Sequence, residues 1–166
     1  MYSPYLYSRI KTFVNTYGSG VAKAIAGTGL FFPAVMGQSA YESGYGDRIP
    51  KGSNNFGGIK YNPNLEGVIG YVDSATTEGN KKDAKTVGVV GRFSKFKDVE
   101  SGFKAHIQVL MLPRYNDARF LAKTPEEQIL MIVKAGYSTL PPEVYLNNMK
   151  SLIQAVSDYT KIGRIK

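Results

Sequence analysis

The chain has 166 residues, 43% of them hydrophobic and 20% charged, which fits one globular domain and excludes a disordered, collagenous or coiled-coil chain. It has no cysteine and a single histidine, which excludes disulfide frameworks, thiolate zinc sites, thiol nucleophiles and multi-histidine metal centres. With 21 basic and 13 acidic residues the net charge is +8, favouring a polyanionic partner (nucleic acid, anionic lipid or bacterial cell wall) without choosing among them.

In chain order, Ser3-Pro4 opens the first helix as cap and first helical residue, and Leu6, Ile10, Phe13, Val14 and Tyr17 follow at helical spacing until Gly18. A short second helix is expected over residues 21–26, ending at Gly27. A third starts at Pro33, carries Val35, Met36, Ser39 and Ala40 on one face, and stops at Gly44. From there to about Gly91, glycine, asparagine and lysine become frequent, and β-prone runs at 67–72 and 86–90 predict a small antiparallel hairpin with its turn within 79–83.

Helical periodicity returns behind the cap Asp98, with Val99, Phe103, Ile107, Leu110 and Met111 on one stripe. His106 falls near that stripe and reads as structural. Thr124-Pro125-Glu126-Glu127 has capping-box spacing, and Ile129, Ile132 and Val133 form a buried face up to Gly136. A last helix is expected over 142–161, with Tyr145, Met149, Leu152, Ile153 and Val156 inward. The architecture is therefore α+β: a single domain over 1–166, mostly helical, interrupted once by a β-lobe at about 60–95.

Without cysteine, and with one histidine, chemistry falls to carboxylates, tyrosines, hydroxyls and amides. Glu42, in Gln38-Ser39-Ala40-Tyr41-Glu42-Ser43-Gly44-Tyr45-Gly46, belongs to the last turn of a mostly apolar helix. The helix dipole and partial burial would both raise its pKa toward that of a general acid. The same position also suits an ordinary surface glutamate at a helix end.

Gln38 to Gly46 resembles the catalytic segment of the bacterial cell-wall glucosaminidases of glycoside hydrolase family 73, which include flagellar peptidoglycan hydrolases and autolysins. Four further blocks agree in order: Asn54-Asn55-Phe56-Gly57-Gly58-Ile59-Lys60, the aromatic segment from Phe93 to Gly102, Pro113-Arg114-Tyr115, and Ala135-Gly136-Tyr137-Ser138-Thr139 followed by Pro142 and Tyr145. The resemblance implies a lysozyme-like fold, a helical lobe and a β-hairpin lobe with a glycan groove between them. It implies Glu42 as general acid, protonating the glycosidic oxygen between N-acetylglucosamine and N-acetylmuramic acid. Glu78, in Thr76-Thr77-Glu78, matches the family's second carboxylate, with Asp73 as its replacement if Glu78 is too distant. Tyr137 matches a tyrosine facing the reaction centre, and Tyr45, Asn55 and Tyr115 are substrate-binding candidates. Gly57 replaces the family's usual phenylalanine, which implies a looser groove floor.

Retention, inversion and attack by the substrate's own acetamido group all remain open. So do three activities besides the expected endo-β-N-acetylglucosaminidase: a muramidase, a lytic transglycosylase, and a catalytically silent wall-binding module of a phage or secretion machine. The expected partner is the peptidoglycan glycan strand, joined by an immunity protein if the chain is a secreted effector; a monomer is expected, with no cofactor, metal, nucleic acid or membrane insertion. Action is expected at the cell wall or periplasm. The N-terminus lacks a signal-peptide pattern, so delivery by holin, virion or non-standard secretion, or as a domain of a larger exported protein, is expected.

Overall fold

The computed structural model describes residues 2–79 and 86–161, with side chains described outside 76–79 and 86–87. Helix α1 (Pro4–Ile25) begins where the Ser3 hydroxyl accepts the Leu6 N–H at 3.2 Å. It is one helix where two were expected. Gly18 and Gly20 lie inside it, because Ile10, Phe13, Val14, Gly18, Val21 and Ile25 keep one uninterrupted buried stripe. An interior glycine costs about 1 kcal/mol relative to alanine, less than the roughly 1.5 to 3 kcal/mol contributed by burying each valine, isoleucine or phenylalanine.

Helix α2 (Phe32–Ser43) is the centre of the helical body. Residues 34–40 are all buried, so the single apolar face expected for it is in fact a helix enclosed almost all round. Gly44 ends it in the left-handed region (φ +56°), its N–H returning to the Ala40 and Tyr41 carbonyls. A Cβ there would also collide with the Arg48 side chain, which packs across this turn.

Strands β1 (Val68–Gly79) and β2 (Thr86–Phe96) form a two-stranded antiparallel hairpin, with Val72 opposite Phe93 and Asp73 opposite Arg92. Both are longer than the β-prone runs indicated. At its root Phe93, Ser94 and Phe96 are buried, whereas Ile69, Tyr71 and Val90 are exposed, so the root is what anchors the hairpin to the helical body. The turn expected within 79–83 lies, beyond Gly79, outside the described residues.

Helix α3 (Val99–Leu110) is capped by Asp98, whose carboxylate accepts the Ser101 N–H at 2.7 Å. A 3₁₀ turn (Pro113–Tyr115) and the short α4 (Asn116–Phe120) lead to α5 (Pro125–Lys134). The Thr124 hydroxyl accepts the Glu127 N–H at 3.1 Å, but the returning Glu127 carboxylate takes the Lys123 N–H at 2.6 Å rather than that of Thr124, a shifted capping box. Helix α6 (Pro142–Lys161) buries Tyr145, Met149, Leu152, Ile153 and Val156 against the body. Among the described residues, no helix is long and apolar enough to cross a membrane.

Candidate active site

Between the end of α2 and the hairpin, residues 53–61 are tied down from both sides. Phe56 inserts into the helical body, stacked on Phe103 with ring centroids 4.4 Å apart. Buried Asn55 donates to the carbonyls of Ile59 (2.8 Å) and Ser94 (3.0 Å) and accepts the Ile59 N–H (2.9 Å). The Ser94 N–H returns to the Ile59 carbonyl and the Tyr61 N–H reaches the Arg92 carbonyl, both at 3.0 Å, so the segment runs along β2.

The result is a cleft of about 430 Å³. It is lined by Gly57 to Lys60, by Arg114, Tyr115 and Tyr137 to Thr139, and by Glu42 and His106. Glu42 is exposed through the mouth of this cleft, in the last turn of α2. The protein around it still displaces much of its hydration, and this partial burial raises its pKa; a hydrogen bond from Tyr145 and the positive charge of Arg48 oppose the shift. The Tyr145 hydroxyl donates to Glu42 Oε1 at 2.6 Å and accepts from Gln38 Nε2 at 3.4 Å.

A second chain of polar groups runs beside the first. The Ser39 hydroxyl lies 3.1 Å from His106 Nδ1, and the Tyr137 hydroxyl 3.3 Å from His106 Nε2. Burial alone pushes the His106 pKa down to about 4, which leaves the ring neutral at pH 7. Burial, with Glu42 and Tyr115 nearby, raises that of Tyr137 well above the usual phenol value. Gly57 does not loosen the floor as its replacement of a phenylalanine implied. The His106 ring occupies that space, and a Cβ on Gly57 would stand 2.9 Å from its Cγ.

The structure thus brings Glu42, Tyr137 and Tyr115 together at one cleft. Tyr115 is buried, and its hydroxyl has no hydrogen-bond partner within bonding geometry among the described residues. Two other expected binding residues are placed elsewhere. The Asn55 amide is engaged by backbone groups, and Tyr45, at φ +63°, lies beneath the Arg9 guanidinium 4.6 Å from its ring centre; neither lines the cleft. Asp73 is bound to Arg92 across the hairpin at 3.1 Å. Glu78 is on β1 opposite Val87, far out along the strand, and its side chain lies outside the described ones. Tyr145, Gln38, Ser39 and His106 had no site role in the sequence. A signal was present in Gln38 and Ser39, adjacent polar residues in a run that is otherwise apolar from Ala34 to Ala40. Among the described residues, no three His, Asp or Glu side chains stand together as a metal-ligand set.

The family described as mannosyl-glycoprotein endo-β-N-acetylglucosaminidase matches residues 20–158. No curated protein sequence matches the chain. Among solved structures, the fold is similar to that of the peptidoglycan hydrolase from Sphingomonas sp. A1 (TM-score 0.74, 21% identity, 94% of this chain and 96% of that one). It is also similar to a C-terminally truncated glycoside hydrolase domain of FlgJ from Salmonella typhimurium (TM-score 0.67, 24% identity, 90% and 98%). A third likeness is to a type VI secretion system effector–immunity complex from Pseudomonas protegens (TM-score 0.64, 18% identity, 90% and 92%). The expected α+β architecture, a helical body with a β-hairpin, is the one these glycoside hydrolase structures share.

Proposed function

The chain belongs to the endo-β-N-acetylglucosaminidase family, and from that premise we propose that it hydrolyses the β-1,4 bond between N-acetylglucosamine and N-acetylmuramic acid in peptidoglycan, with Glu42 as general acid. The observation that carries this reading is Glu42 itself, a carboxyl at the mouth of a cleft whose surroundings hold its pKa up.

The Tyr145 hydroxyl occupies Oε1, so the acidic proton belongs on Oε2. From there it passes to the glycosidic oxygen as the C–O bond breaks, and the leaving sugar departs as a neutral alcohol while Glu42 becomes a carboxylate; water supplies the hydroxyl that ends on the anomeric carbon, and its remaining proton restores the Glu42 acid. Proton donation of this kind is worth about 10² to 10⁴ in rate. Lys60 and Arg114 in its lining give the cleft the charge to attract the carboxylates of the stem peptides, and the net charge of +8 does the same for the wall as a whole.

Tyr137 is the substrate-facing tyrosine of this reading, and the buried Tyr115 ring, its centre 6.4 Å from that of Tyr137, supports it. Asn55 fixes the wall of the cleft, and Tyr45 supports the turn after α2. Glu78 is the second carboxylate, favoured by its Thr-x-Glu setting and by the engagement of Asp73 with Arg92. Action at the bacterial cell wall follows from this substrate. The likeness to an effector–immunity complex supports an immunity protein as partner wherever the chain is delivered into a competing cell.

Digestion of purified sacculi followed by mass spectrometry of the products tests this. New reducing ends carrying N-acetylglucosamine are expected. N-acetylmuramic acid ends would assign a muramidase, anhydro ends a lytic transglycosylase, and binding without cleavage a silent wall-binding module.

A further inference from the structure

The two polar chains that leave α2 end on two different residues of the cleft. The Gln38 chain ends, through Tyr145, on Glu42. The Ser39 chain ends, through His106, on Tyr137. The second raises a question of polarity, because a neutral imidazole donates from one nitrogen and accepts at the other. If Nδ1 carried the proton, it would donate to Ser39, and Nε2 would accept from Tyr137. The Ser39 hydroxyl proton would then be enclosed with no acceptor, since Ser39 is buried and His106 Nδ1 is the sole hydrogen-bond partner of its hydroxyl among the described residues. A buried donor left unpaired costs about 1 to 3 kcal/mol.

In the opposite arrangement Ser39 donates to Nδ1, and Nε2–H donates to the Tyr137 oxygen. The proton left over is then that of Tyr137, which lines the open cleft, where water or substrate can accept it. One arrangement strands a proton in the core; the other delivers it to the cleft.

We infer that His106 is a positioning residue which, held by Ser39, turns the Tyr137 hydroxyl into a hydrogen-bond donor aimed into the cleft, at the acetamido carbonyl oxygen of the bound amino sugar. The inference deepens the proposed function and rests on it for the identity of the substrate. A donor hydroxyl orients a carbonyl oxygen; it is the wrong polarity to steady the positive charge of an oxocarbenium ion. Gly57 belongs to the same device, because only a residue without a Cβ leaves the imidazole its place.

The chain has one histidine, so a long-range ¹H–¹⁵N spectrum of the intact ¹⁵N-labelled protein at pH 7 reads this ring without assignment. The Nε2–H tautomer is expected; an Nδ1–H tautomer would overturn the inference. Because the spectrum needs no turnover, a protein that cleaves sacculi but shows Nδ1–H defeats this inference alone, and one that shows Nε2–H but cleaves nothing defeats the proposed function. Kinetics supply the second arm. Gln, whose amide can reach as Nε2 does, should preserve donation to Tyr137, whereas the shorter Asn should not. His106→Asn and Tyr137→Phe should each lower kcat about tenfold, the value of one hydrogen bond near 1.4 kcal/mol, with KM nearly unchanged, and His106→Gln should recover most of the loss. Ser39→Ala should lower kcat several-fold in the parent and not at all in Tyr137→Phe. Equal losses for the Gln and Asn variants, or additive losses in the double variant, would overturn the inference.

Discussion

The Tyr145 hydroxyl lies 2.6 Å from Glu42 Oε1, so the last long helix holds in place the carboxyl that ends the second. Two opposing influences meet there. Displaced hydration raises the pKa of Glu42, and the Tyr145 hydrogen bond, by favouring the anion, lowers it. The balance remains above the ordinary glutamate value.

Removing the hydrogen bond alone should therefore move the balance further upward. In Tyr145→Phe the protonated acid persists to higher pH, and the alkaline limb of the kcat/KM profile should shift upward. The rate at the optimum should also fall as the carboxyl loses its orientation. A pH–rate profile of the variant beside the parent protein checks both effects.

Glu42 should also leave a mark on stability. Its folded pKa is raised above the unfolded value near 4.5, so ionising it costs more in the folded protein, and the resulting destabilisation is present at neutral pH and absent below about pH 4.5. Glu42→Gln cannot ionise. Thermal melts should show this variant more stable than the parent at pH 7 and level with it at pH 4.

His106 acts in the other direction. Its folded pKa is about 4 against 6.5 for the free side chain, so the unfolded chain binds the extra proton first as pH falls. Stability should be fully present above pH 6.5 and decline toward pH 4 by roughly 3 kcal/mol from this residue. The groups on its two ring nitrogens, the Ser39 and Tyr137 hydroxyls, are uncharged at these pH values and offer the imidazolium no counter-charge. His106→Gln should flatten this part of the curve in denaturant melts run from pH 7 to pH 4.

Gly57→Ala forces a methyl group to within 2.9 to 3.1 Å of the root of the His106 ring, which a flexible chain end cannot relieve. Overpacking of this kind costs typically about 1 to 3 kcal/mol. Urea melts should show that loss, and the displaced imidazole should lower activity on sacculi in parallel.

Where a local rule is written in adjacent residues, the sequence was readable. The caps Ser3, Asp98 and Thr124 each open their helix with the expected side-chain hydrogen bond, and α6 spans the expected residues. Glu42 and Gly44 stand at the helix end read from their spacing. Gly18 misled, because a local glycine penalty was weighed against too little of the long apolar phase in which it lies. The hairpin was underestimated because the stretches beyond the β-prone runs, Asp73-Ser74-Ala75-Thr76-Thr77-Glu78-Gly79 and Gly91-Arg92-Phe93-Ser94-Lys95-Phe96, are mostly polar or glycine. Tyr145 and His106 were legible only as core residues. What makes them part of the site is a partner on α2 or beyond α5 that no periodicity connects to them.

The central claim is that Glu42 supplies the proton that breaks the glycosidic bond, and the most direct measurement is the rate at which Glu42→Gln and the parent protein release new N-acetylglucosamine reducing ends from purified sacculi. The amide keeps the shape of the side chain and an oxygen for Tyr145 but has no acidic proton to give, so the rate should fall by about 10² or more. A variant that matched the parent protein's rate would contradict the account.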